Sequence, residues 1–235
     1  MIDFYYWPTP NGWKVAILLE ELELDYQMIP VNISEGDQFK AEFLAISPNN
    51  RMPAILDKDV SGAPVSVFES GAIMWYLAEK ADLFLPKDPV LRKEVMEWMF
   101  WQTGGQGPMA GQLSHFVNYA PKGDHAYART RYAGEFERLC GVLDRRLEGR
   151  DWLVGNAYSI ADMICWPWVL IARPLHTDLT PFRNLSNWRQ RIKDRPAVQR
   201  AVDLGKDHRR KAPPTEAERK LLFQQNGSTA RSIET

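Results

Sequence analysis

Apolar residues alternate at the start of the chain. Ile2, Phe4 and Tyr6 share one parity, which is the period of a strand. Pro8 and Pro10 end that pattern. From about Asn11, the spacing of Trp13, Val15, Ala16, Leu18, Leu19 and Leu22 predicts a helix, and residues 26–32 read as a second strand. A strand–helix–strand unit implies parallel strands. Residues 38–46 read as a short helix and "SPNNRMP" as a loop. "AILD" and "VSVF" read as short strands about a turn at Ser61-Gly62. "ESGAIMWYLAEK" reads as a helix that opens on an acid and a serine.

The pattern changes at "LFLPKDP". Beyond it the periodicity predicts only helices, over residues 90–102, 109–119, 127–147, 159–172 and 184–193. Gly104, Gly105, Gly107 and Pro108 are expected to bend or interrupt the first of these, and Pro167 to perturb the fourth. The expected organisation is an α/β part over residues 1–82, a linker at 83–89, an all-α part over 90–210, and a partly mobile tail at 211–235. "YSIADM" puts Ser159 three residues before Asp162, a capping-box spacing with Asp in place of Glu, and its expected role is to nucleate a core helix.

Composition narrows the function classes. The 235 residues are 45% hydrophobic and 25% charged, with a formal net charge of −1. No basic excess suggests nucleic acid, and no apolar run reaches membrane-spanning length. The chain starts as a strand rather than as a basic then apolar leader, which favours a cytoplasmic address. Cys140 and Cys165 form neither a C-x-x-C pair nor a zinc pattern. Both fall in apolar helical runs and read as buried, inert thiols. The histidines show no metal-ligand spacing, so no metal is expected.

Three stretches carry candidate chemistry. The opening amides of the first helix lack partners and, with the helix dipole, suit an anion, and a thiolate is an anion. Thr9 and Asn11 stand at that helix start with three side-chain hydrogens to donate, although plain capping also explains them. In "NNRMPAI", a cis bond at Met52-Pro53 would turn the Met52 backbone N–H and C=O toward an extended peptide, whereas a trans proline would merely start a strand. In "FESGA", Ser70 at a helix start suits a carboxylate and Glu69 an ammonium, as an α-amino-acid end requires; a simple cap is the alternative. Together the three features suit a charged, thiol-bearing peptide such as glutathione. Tyr6 shares the parity of Ile2 and Phe4 and is expected inside the sheet packing. The segment "TGGQGPMAGQ" lacks nucleotide-loop spacing and suggests close helix approach at a dimer interface.

On these residues the chain resembles the glutathione transferases over about residues 1–205. The first half resembles their thioredoxin-like domain, and "YSIADMICWPW" resembles the capped core helix of their helical domain. "PTPNG", "SPNNRMPAI" and "FWQTGGQGPMAGQ" resemble the bacterial Nu class more narrowly. The resemblance implies an α/β thioredoxin-like domain with a mixed sheet and one cis-proline, followed by an all-helical domain. It implies sulfur contacts at Thr9 and Asn11 and a backbone anchor at Met52 beside Pro53. It further implies a γ-glutamyl clamp at Glu69 and Ser70, a polar contact at Gln38, and Arg131 of "YARTRY" facing a second glutathione. The implied partners are glutathione, as two molecules or as its disulfide, a small disulfide or electrophile, and a second copy of the chain. The leading expectation is a glutathione-dependent disulfide oxidoreductase. Conjugation to electrophiles is the second reading and a non-catalytic glutathione-binding module the third.

Overall fold

The structure is a computed structural model that describes residues 1–210 and 212–223. Its first part runs β1 (Ile2–Tyr6), α1 (Pro10–Glu21), β2 (Tyr26–Pro30), α2 (Ala41–Leu44), β3 (Ala54–Asp57), β4 (Val65–Phe68) and α3 (Ser70–Ala81). The strands form one sheet in the order β2-β1-β3-β4. β1 and β2 are parallel, joined by α1 as the required crossover, and the other two pairs are antiparallel. This is the mixed, thioredoxin-like arrangement expected. The Met52–Pro53 peptide bond is cis.

α1 is the helix on which the molecule is built. Thr9 lies extended ahead of it at φ −124°, and its Oγ1 accepts from Gly12 N at 3.3 Å while Pro10 occupies the first turn. Gly12 is required by packing: a Cβ there would lie 2.4 Å from the Trp7 carbonyl oxygen and 2.7 Å from the Tyr6 ring. Every residue from Gly12 to Leu19 is buried, because the sheet, α3 and two helices of the second part surround this segment.

The second part contains α4 (Pro89–Trp101), α5 (Gly107–Ser114), α6 (Ala126–Arg146), α7 (Ile160–Leu170), α8 (Arg183–Lys193), α9 (Pro196–Asp203) and α10 (Glu216–Phe223). Asp88 caps α4 through Oδ1, which accepts from Val90 N and Leu91 N. The glycine-rich segment does not break the helix as expected. It is absorbed as a π-helical turn, Gln102–Gln106, so α4 runs into α5 without a loop. A second π turn, His115–Tyr119, ends α5. Single π turns of this kind widen a helix by one residue and recur at functional sites.

α7 is buried along Ile160–Val169, and Pro167 sits inside it without ending it. Its capping box forms as expected. Asp162 accepts from Ser159 N, and also from Leu153 N and Trp188 Nε1, tying the helix start to the preceding loop and to α8. Burial pushes the Asp162 carboxyl up to about 6. α9 was not legible as a helix, yet it packs on α1, with Arg195 on Glu21 and Arg200 on Glu20. The expected short helix at 38–46 is a 3-10 turn, Asp37–Phe39, followed by α2. Of the expected tail, α10 folds back on the body; residues 211 and 224–235 lie outside the described residues. Among the described residues, no helix is long and apolar enough to cross a membrane.

Candidate active-site cleft

The start of α1, the strand edge at Met52 and the start of α3 converge on one cleft. One lobe, about 440 Å³, is lined by Asn11, Lys14, Met52, Pro53, Glu69 and Ser70, among others. A second lobe, about 570 Å³, is lined by Thr9, Gln38, His115, Tyr119, Leu222 and Phe223 among its wall residues. The lobes meet at Asn11, Arg51, Met52, Gly111 and Trp168. Each volume is in the range of small-molecule sites, about 300–1,000 Å³.

The polar groups differ in what they have free. Asn11 Oδ1 accepts from Trp168 Nε1 at 3.3 Å, which orients the amide so that its Nδ2 hydrogens remain for another acceptor. The Thr9 oxygen accepts from Gly12 N, and its hydroxyl hydrogen points at the thioether sulfur of Met52 at 3.6 Å. So the Thr9 hydroxyl already faces a sulfur, of a weakly accepting kind. Glu69 has φ +70°, a backbone conformation that a non-glycine residue rarely adopts, and its carboxylate accepts from Asn49 Nδ2 at 3.0 Å. Ser70 is 8% exposed in the first turn of α3. Gln38 is almost fully buried; its Nε2 donates to the Ile33 carbonyl at 3.3 Å, and its Oε1 is without a partner among the described residues.

Arg131 does not join this group. It is exposed on α6, lines neither lobe, and lies 3.7 Å from Glu135 one turn along the same helix. Tyr119 lines the second lobe, whereas Tyr127 is 84% exposed and does not. Tyr6 is fully buried, and its hydroxyl donates to the Leu204 carbonyl at 3.1 Å, with burial pushing its pKa well up. Cys140 is pushed up to about 12 by burial, and Cys165 well above its ordinary value for the same reason. Neither tyrosine nor cysteine of the core therefore offers an anion at neutral pH.

Three wall elements were not assigned to the cleft from the sequence. Trp168 hides behind Pro167 in an apolar run. Gly107 and Gly111 of the glycine-rich segment line the cleft rather than merely admit another helix. Lys14 interrupts the apolar run of α1, is 2% exposed, and is pulled down to about 7 by burial. That lone cation in "GWKVAILL" was the available signal. Among the described residues, no group of three or more His, Cys, Asp or Glu side chains is placed to hold a metal ion.

Comparison with known proteins agrees with this fold. Residues 1–79 match the glutathione S-transferase N-terminal domain, and residues 112–196 the C-terminal domain. The disulfide-bond oxidoreductase YfcG of Escherichia coli is 50% identical over 204 residues, covering 86% of this chain and 94% of that protein. A glutathione transferase from Burkholderia graminis, solved with two glutathione molecules bound per subunit, superposes with a TM-score of 0.83 at 42% identity. That match covers 87% of this chain and 88% of the other. One from Pseudomonas putida, solved with one glutathione disulfide bound per subunit, gives 0.82 at 42% identity over 87% and 91%. The fold, the paired domain matches and half-identity over nearly the whole length agree: the chain belongs to the glutathione S-transferase family.

Proposed function

We propose that the protein is a glutathione-dependent disulfide-bond oxidoreductase that takes its reacting sulfur from the ligand. The observation that carries this reading is the pair of lobes meeting at Asn11, with no reactive cysteine of the protein beside them. In the first lobe Glu69 holds the γ-glutamyl ammonium and Ser70 its carboxylate, while the Met52 backbone beside Pro53 pairs with the cysteinyl unit. The sulfur then lies at the start of α1, within reach of Thr9 and Asn11. A second glutathione occupies the lobe lined by Gln38 and Tyr119. Arg131, paired with Glu135 outside both lobes, is proposed to reach that second carboxylate only by leaving its present partner.

The electrostatic task is modest. A thiol of pKa near 8.5 is roughly 3% ionised at neutral pH; lowering it to about 6.5 ionises about 75% and takes about 2.7 kcal/mol. A hydrogen bond to a charged group supplies about 1.5–3 kcal/mol. A helix N-terminus supplies up to about 2 kcal/mol. Asn11 Nδ2 and the N-terminal end of the α1 dipole therefore suffice without a base, and Thr9 can exchange its thioether acceptor for the thiolate.

The reaction then balances with two glutathiones. The first thiolate attacks a substrate disulfide, forming a mixed disulfide and expelling one substrate thiolate. The second attacks the glutathione sulfur of that mixed disulfide, releasing the other substrate thiolate and leaving glutathione disulfide. The two protons lost by glutathione end on the two product thiols. Supporting the use of two glutathiones, the relatives described above include a disulfide-bond oxidoreductase and structures holding two glutathiones or the disulfide. We also assign a cytoplasmic setting, a homodimeric state, and functional division at residues 1–82, 83–89 and 90–210.

The test is steady turnover of hydroxyethyl disulfide with glutathione. Robust conjugation of an aryl halide without disulfide turnover would replace this reading with an electrophile-conjugating transferase. Tight glutathione binding with neither activity would replace it with a non-catalytic module. Asn11→Ala should lower disulfide turnover by about 10-fold or more while weakening glutathione binding far less, because the amide acts on the sulfur. Equal losses in turnover and affinity would remove Asn11 from that role.

A further inference from the structure

A lysine within a packed core ordinarily finds a carboxylate, because an unpaired buried charge is costly. Lys14 meets a neutral group instead. Its Nζ donates to Gln102 Oε1 at 2.7 Å, and the side chain lines the first lobe of the cleft one turn behind Asn11. Gln102 is fully buried in the π turn between α4 and α5, and its Nε2 has no partner among the described residues. Gly107 closes over that amide; a Cβ there would come within 2.8 Å of Gln102 Nε2. The π turn thus delivers a buried, dedicated acceptor to the lysine head at the floor of an open, ligand-sized cleft.

We propose that Lys14 is a positioning residue for the anionic sulfur: a buried ammonium, held by Gln102 of the π turn, whose field stabilises glutathione thiolate at the start of α1. The proposal rests on the functional reading above and adds the source of charge that neither Thr9 nor Asn11 carries. It also explains why a costly cation is kept in the core: the ligand, rather than the protein, supplies the compensating anion. The bound thiolate in turn favours the protonated lysine. The ionisable groups acting on Lys14 are Cys165 of α7 and Glu69 ahead of α3, while Glu69 is itself held by Asn49. α9 faces the far end of α1, where its basic residues are paired with Glu20 and Glu21. Burial brings Lys14 to about 7, so near neutral pH the binding of an anionic sulfur is expected to favour the protonated form of this lysine.

Two variants remove the charge by different routes. Lys14→Met deletes it. Gln102→Glu keeps the ammonium and neutralises it with a facing carboxylate, which preserves folding if the apolar variant does not. The thiolate absorbance of bound glutathione near 240 nm is followed against pH, with binding of S-methylglutathione, which has no ionisable thiol, as the companion measurement. Both variants should raise the pKa of the bound thiol by about one unit, and so lower thiolate and disulfide turnover below that pKa by about 10-fold. S-methylglutathione affinity should change less than about 2-fold; a matching loss there would reduce Lys14 to a structural role and overturn the inference. An unchanged thiol titration in either folded variant overturns it equally. A wild-type protein that binds glutathione with no thiolate band overturns the functional reading as well, so the two failures are distinguishable.

Discussion

At the scale of single residues, the cleft is governed by which polar atoms are already engaged. Asn11 is useful because Trp168 takes its oxygen and leaves its nitrogen. Trp168→Phe should therefore lower disulfide turnover by about 2–10-fold, the worth of one neutral hydrogen bond, with glutathione affinity nearly unchanged; kcat and KM measured separately check this. Lys14 gives a stability signature independent of ligand. Its folded pKa lies below its unfolded one, so the unfolded chain holds more protons between about pH 7 and 10.5. Stability should rise through that window, by up to about 1.4 kcal/mol per pH unit, and Lys14→Met should flatten the rise in urea titrations run across it. Thr9, Asn11, Met52, Pro53, Glu69 and Ser70 were nameable from the sequence, because each sits at a punctuation point where turn chemistry and helix ends are visible; Gln38 was named only through the family resemblance. Trp168 and Lys14 were not singled out, because a tryptophan or lysine inside an apolar helix shows its face only when the neighbouring helix is in place.

At the scale of elements, α1 decides the site. Its N-terminus is where the proposed sulfur position lies, and its flanks are buried by both halves of the molecule. Gly12→Ala would drive a methyl into the Trp7 carbonyl and the Tyr6 ring, and should cost about 1–3 kcal/mol in thermal or denaturant unfolding. The same variant should disturb the Thr9 cap, since Gly12 N is the capped amide. The strands and α1, α3, α4, α5, α6, α7 and α8 were legible from period together with turn and helix-start residues. The π turns were not: periodicity marks a glycine-rich interruption, and only the packing of Gln102 and Gly107 shows that the helix continues around it. α9 escaped notice because it is a single short apolar face that becomes a helix by docking on α1.

At the scale of the whole molecule, the cleft is completed by chain from far apart. α10 brings Leu222 and Phe223 to the second lobe, with the Phe223 ring 4.6 Å from His115 and 5.4 Å from Tyr119, centroid to centroid. Arg219 Nε donates to the Tyr119 carbonyl at 3.2 Å and holds α10 against the π turn there. Phe223→Ala should raise the KM for a disulfide substrate several-fold and leave the bound thiolate titration unchanged, because it alters a wall of the second lobe and not the sulfur position. Parallel kinetics and absorbance titrations separate the two effects.

The order of strands and helices, the cap at Thr9, the capping box at Ser159 and Asp162, and the chemical character of the proposed glutathione site were written in the sequence itself. These are local matters: periodicity, turn residues and helix ends act over a few positions. Only the tertiary structure decided that Arg131 stays outside the cleft, that Trp168 orients Asn11, and that Lys14 is buried against Gln102 beneath it. Those facts depend on residues 157 and 88 positions apart being pressed together. Burial, which sets the energy of a charge, is a property of the packed whole.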